Sequence, residues 1–150
     1  MCFLKKYPKL RKKIYIQVNY QKNSFNLSQR QILDYVDEVL SKLNTEYLDI
    51  LILDDSDILV DPLELALTFD ILHASGKVKY FGVFEMDSTG IKLYRKHSKH
   101  PIVMNHLALS LNDKNLVNNK RNTMNYCYLH DITMQTYFHY SSSDILEEIS

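Results

Sequence analysis

The sequence predicts an α/β fold built on a parallel sheet. Three observations carry that expectation. Strand-like and helix-like apolar periods alternate along the chain. Residues 48–53 (LDILIL) are apolar at nearly every position, as strands covered on both faces are. Each strand-plus-helix unit runs about 25 to 35 residues, the length of a βαβ repeat. No linker or low-complexity stretch divides the 150 residues, so they read as a single domain, 1–150.

The elements follow in order. Residues 1–13 (MCFLKKYPKLRKK) carry a charge run, Lys5, Lys6, Lys9, Arg11, Lys12 and Lys13, which reads as a solvated face. Residues 14–20 (IYIQVNY) form a first strand, with β-branched and aromatic residues at period two. Ser28 is an N-cap and Gln31 completes a capping box. Ile32, Leu33, Val36, Val39, Leu40 and Leu43 then repeat at helical spacing and make one apolar stripe, which stops at Asn44 and Thr45.

After the strand at 48–53, Asp61 caps a second helix, Pro62 suits its first turn and Glu64 holds the capping-box position. Leu65, Phe69 and Leu72 form its stripe, and Gly76 is a left-handed terminator. Residues 78–86 (VKYFGVFEM) are a third strand, 87–97 a short helix and 102–110 (IVMNHLALS) a fourth strand. Residues 115–131 hold a helix with Leu116, Tyr126 and Leu129 among its apolar positions. Residues 132–140 (ITMQTYFHY) are a fifth strand, and 141–150 begin a final helix. Strict alternation of this kind implies crossover connections and a parallel sheet.

Composition narrows the function. Lys+Arg and Asp+Glu are both 18, so the formal net charge is zero. A general nucleic-acid binder needs a basic face, so none is expected here. No apolar run approaches the ~20 residues of a membrane helix, and the first residues lack the apolar core of a secretory leader. A cytoplasmic protein is expected. Cys2 and Cys127 have no C-x-x-C spacing and read as ordinary thiols, Cys127 as a buried one.

Asp54, Asp55 and Asp57 follow the strand at 48–53, at the end of a parallel strand where ligands gather. Hard cations take carboxylate oxygens. Asp54 and Asp55, however, point to opposite faces of an extended chain. They read as solvated or loop-capping groups, with no metal. The histidines (73, 97, 100, 106, 130 and 139) share no metal-ligand spacing, and His106 and His139 fall on strands.

Three stretches resemble the aldo-keto reductases: NTEYLDILIL, DPLELALTFDILHASGKVKYFGV and NYCYLHDITMQTY. Leu43, Thr45, Tyr47, Leu48, Asp49, Phe69, Leu72, Ser75, Gly76, Lys77, Val78, Phe81, Gly82 and Val83 match the pattern. The likeness spans about residues 11 to 140 and is nearest to bacterial members related to the potassium-channel β subunits. It implies part of a TIM (β/α)8 barrel. The five strands here correspond to the third to seventh, so the chain reads as a truncated and degenerate member.

The resemblance also implies chemistry: reduction of carbonyls with hydride from NADP(H), assisted by an Asp, a Tyr, a Lys and a His. The Asp and Tyr belong to early units without a counterpart here. The Lys position aligns with Asn19 and the His position with Asp54. The Ser-Asn pair that grips the nicotinamide amide reads Phe84-Glu85, and the family's Asn-Gln reads Asn105-His106. Tyr137 matches the aromatic that stacks on the nicotinamide, although packing is the preferred reading of Asn105 and Tyr137, since aromatics on strands are usually core. The expectation is therefore an aldo-keto reductase-like chain without hydride transfer, with vestigial cofactor contacts at Asn105, His106 and Tyr137. The alternatives are a scaffold or regulatory protein that self-associates through open sheet edges, or a chain active only with a partner that supplies the other strands.

Overall fold

The computed structural model of the chain describes residues 3–20, 28–54, 61–108 and 114–137. In chain order the elements are α1 (Phe3–Lys6), a 3-10 helix (Pro8–Lys13), β1 (Gln17–Tyr20), α2 (Gln29–Leu43), β2 (Leu48–Asp54), α3 (Pro62–Ala74), β3 (Val78–Phe84), α4 (Ser88–His97), β4 (Ile102–Ala108), α5 (Lys114–Leu129) and β5 (Thr133–Tyr137). The helix expected over 141–150 lies outside the described residues.

The strands form one sheet in the order β1-β2-β3-β4-β5, and every pair is parallel. Strand order therefore never reverses. A doubly wound sheet has a reversal, whereas a barrel winds one way. The sheet also curls. Gln17 Nε2 on one edge strand donates to Gln135 Oε1 on the other at 2.8 Å.

Side chains alternate across each strand. One face holds Tyr20, Leu51, Leu53, Phe81 and Val83, which pack with Ile32, Val36, Leu40, Leu65, Phe69, Leu72, Ile91 and Tyr94 from the helices. Phe69 and Phe81 lie stacked at 3.9 Å between ring centroids and 8° between planes, joining α3 to the sheet. The other face carries the register row Asn19, Ile52, Gly82 and Met104. Gly82 has a packing reason there. A Cβ would sit 3.0 Å from Ile52 Cγ1 and 3.1 Å from the Met104 carbonyl oxygen.

Several local expectations change. The first strand begins at Gln17, three residues later than expected, and a 3-10 helix occupies residues 8–13 ahead of it. Arg11, within the run read as solvated, is buried. Ser28 precedes α2 without a side-chain cap bond, and the Gln31 side-chain oxygen is buried with no hydrogen-bond partner among the described residues. Glu64 supplies the cap from α3, accepting from the Gln29 N–H at 3.0 Å. Tertiary packing thus gives one of the orphan donors of α2 a partner its own sequence does not supply. Asp61 caps α3 through the Leu63 N–H at 2.9 Å, and Gly76 sits at φ +71 as a helix terminator. Leu129, named among the apolar positions of the helix at 115–131, is 76% exposed. No described helix is long and apolar enough to cross a membrane.

Candidate functional site

In a barrel of this winding, ligands meet the carboxyl ends of the strands. The described residues at that rim are Asn19 and Tyr20, Asp54, Phe84 to Met86, His106 to Ala108, and Tyr137.

Asn19 is half-buried, and its carbonyl accepts from the Tyr35 hydroxyl at 3.1 Å. Tyr35 also meets the Tyr20 ring edge-on at 4.7 Å. Burial, and then Tyr35 itself, push the Tyr20 hydroxyl above its ordinary pKa, so it stays protonated. Asp54 ends β2 in register with Phe84, while Asp55 and Asp57 lie outside the described residues. Among the described residues no group of three His, Cys, Asp or Glu is placed to hold a metal ion.

Phe84 and His106 are register partners, and their rings meet edge-on at 5.3 Å. Burial pulls the His106 pKa below its ordinary value against a weaker upward pull from Glu85, so the imidazole is neutral near pH 7. His139 lies outside the described residues.

Asn105 faces the helices. Its Nδ2 donates to the Met86 carbonyl at 2.8 Å and lies 3.8 Å from Cys127 Sγ, while its Oδ1 is buried with no hydrogen-bond partner among the described residues. The residue is fully buried and anchors the chain just past β3. Burial pushes the Cys127 thiol up, with the Asn105 contact opposing, so Cys127 is a protonated core residue. Tyr137 ends β5 in register with Ala108, and its side chain lies outside what the structure describes.

Glu85 and Lys120 join the rim with roles the sequence did not signal. Glu85 has φ +57, and its N–H donates to the His106 carbonyl at 2.9 Å. One carboxylate oxygen accepts from the Ala108 N–H, and the other is paired with Lys120 Nζ. Lys120 also donates to the Ala108 carbonyl at 3.1 Å. Lys120 brings a cation to this rim, and Glu85 neutralises it. The partners are 35 residues apart, so no local pattern links them.

The strongest polar cluster is at the opposite end. Arg11 donates to Asp49 Oδ2 at 2.8 Å, to Thr45 Oγ1 at 2.8 Å and to the carbonyls of Ile14 and Tyr47. Lys79 reaches Asp49 Oδ1 at 3.3 Å, and the Ile16 N–H donates to Oδ2 at 2.9 Å. Arg11 and Lys79 both lie over the Tyr47 ring, at 3.7 and 3.8 Å from its centroid. Thr45, Tyr47 and Asp49 therefore serve the foot of the sheet. An open cavity of about 670 Å³, lined by Leu4, Arg11, Leu40, Thr45 and Tyr47 among others, lies at this end, away from the rim.

Residues 2–142 match the aldo/keto reductase family. An uncharacterized oxidoreductase of Bacillus subtilis, YcsN, is 32% identical over 108 residues, which are 72% of this chain and 35% of that protein. The thermostable aldo-keto reductase Tm1743, solved with the inhibitor epalrestat, superposes with a TM-score of 0.78 at 19% identity, covering 97% of this chain and 54% of that one. A Bombyx mori aldo-keto reductase, solved in complex with NADP, gives 0.68 at 18% identity, covering 89% and 44%. The chain thus spans about a third of that curated relative and about half of these solved structures.

Proposed function

The chain belongs to the aldo/keto reductase family, and from that premise we propose that these 150 residues form an oxidoreductase-family protein that does not carry out the family's hydride transfer to carbonyls. One observation carries this reading: Asn19 and Asp54 lie at the ends of β1 and β2, where the family resemblance asks for a Lys and a His. A neutral amide cannot favour a tyrosinate as a neighbouring ammonium does. A carboxylate beside a carbonyl opposes the negative charge that develops on its oxygen during reduction.

NADP(H) is the cofactor the family implies, and the Bombyx mori relative was solved with NADP. The described residues do not fit a nicotinamide grip. Asn105 is turned toward the helices and engaged by Met86, and Glu85 is engaged by Ala108 and Lys120. Titrating the chain with NADPH while following nucleotide fluorescence, together with turnover of a general aldehyde, tests the reading. No turnover is expected, and robust reduction by the chain alone overturns it.

A second reading is a scaffold that associates through its sheet edges. It rests on β1 and β5, each of which has a strand neighbour on one side only among the described residues. Such edges pair readily with another chain. Light scattering on the eluting protein separates the two readings, because a clean monomer at all concentrations counts against association.

A further inference from the structure

We propose that the carboxyl rim of β4 is a receptor for a small carboxylate ligand, and that Glu85 blocks it with its own side chain. The receptor is made of two donors, the backbone N–H of Ala108 and the ammonium of Lys120, which lie 23 and 35 residues from Glu85 in the chain. Each meets a different oxygen of the Glu85 carboxylate. This is how a free carboxylate is held, with both oxygens engaged and one of the donors charged. Lys120 is oriented for the task by its second bond, to the Ala108 carbonyl at 3.1 Å. The site is partly withdrawn from water: the Lys120 side chain is 17% exposed and that of Glu85 30%. Charge attraction is less screened there than on an open surface.

The blocking residue holds an unusual backbone. Glu85 sits at φ +57, a left-handed conformation that disfavours side chains with a Cβ. Such conformations persist where surrounding contacts over-determine them. Here those contacts include the Glu85 N–H bond to the His106 carbonyl and the two carboxylate contacts. The side chain acts as a tethered ligand with an effective concentration on the order of mM or more. A weak external carboxylate such as acetate therefore does not displace it in the parent chain. Withdrawing Glu85 exposes a preformed pair of donors at this rim.

The test uses Glu85→Gly, which deletes the tethered carboxylate and places at φ +57 the residue that adopts it freely. Sodium acetate is titrated against the parent, Glu85→Gly and the double variant Glu85→Gly/Lys120→Ala, at ionic strength held constant with chloride, and the melting temperature is followed. Ligand binding to the folded state raises it with concentration. A saturable rise is expected for Glu85→Gly alone, with the parent and the double variant flat. A flat response in Glu85→Gly, or an equal rise in it and the double variant, overturns the proposal. Should Glu85→Gly not fold in chloride, refolding in acetate is expected to restore native circular dichroism, and failure to do so also overturns it.

Discussion

Gln17 and Gln135 touch although they lie on opposite edge strands: the Gln17 amide donates to the Gln135 carbonyl oxygen at 2.8 Å, 118 positions along the chain. Three strands lie between them in the sheet, so the contact exists only because the sheet curls. Twist and side-chain packing impose that curl, with the bridge following from it. The pair is exposed and neutral. A double-mutant cycle with Gln17→Ala and Gln135→Ala in urea melts is expected to give a coupling of about 0.5 to 1 kcal/mol. A coupling well above that range would mean that the bridge itself bends the sheet.

Arg11→Ala is expected to be among the most damaging single changes. It leaves the Asp49 carboxylate, 2% exposed, without its main partner. Breaking a buried pair from one side costs about 3 to 5 kcal/mol. Arg11→Lys should recover only part of this, because an ammonium cannot hold Thr45, Ile14, Tyr47 and Asp49 at once. Burial raises the Asp49 pKa, but the Ile16 N–H, Arg11 and Lys79 together outweigh it and hold it below the ordinary carboxylate value. Asp49 therefore contributes stability fully above the unfolded carboxylate pKa of about 3.9, and loses it as pH falls through the lower folded value. Urea melts between pH 7 and pH 3 should show that acid loss in the parent and a shallower one in Arg11→Ala.

His106 is expected to act in a separate pH window. Burial depresses its folded pKa below the unfolded value of about 6.5. The unfolded chain then takes up a proton first, so stability begins to fall as pH drops below about 6.5 and levels off beneath the folded pKa. His106→Gln should flatten this part of the curve and leave the Asp49 part in place. An unchanged slope between pH 7 and pH 5 in the variant would refute the assignment.

Gly82→Ala is expected to destabilise the chain by roughly 1 to 3 kcal/mol, as overpacking does. The added methyl meets Ile52 Cγ1 at 3.0 Å, which can move, and the Met104 carbonyl oxygen at 3.1 Å, which is backbone and cannot. Adding Ile52→Ala, which removes Cγ1, should therefore relieve only the first of the two contacts and rescue the melting temperature at most in part. Full rescue would show that the β4 backbone yields.

Much of the fold was legible in the sequence. Alternating periods, the doubly apolar run at 48–53 and the stop signal at Gly76 are local properties, and they placed the five strands and the helices between them. The winding into part of a barrel came from the family resemblance, and strand order now supports it. Of the candidate site, Asn19, Asp54, Asn105, His106 and Tyr137 were named from the family resemblance, and they lie in or at the ends of β1, β2, β4 and β5.

What the sequence determined by itself was therefore the elements, whose apolar spacing is written into consecutive residues, and the family, whose motif is a linear string. Only the tertiary structure decided which charges are satisfied and by what. Arg11 looked like one cation in a solvated run until Asp49 and Tyr47 met it across the foot of the sheet. Glu64 looked like the cap of its own helix and caps the neighbouring one. Asn105 turned toward Met86 and Cys127, and Glu85 found Lys120. Polar groups are satisfied by whatever donor or acceptor lies within about 3 Å. That distance is set by packing between elements far apart in the chain, which no local spacing records.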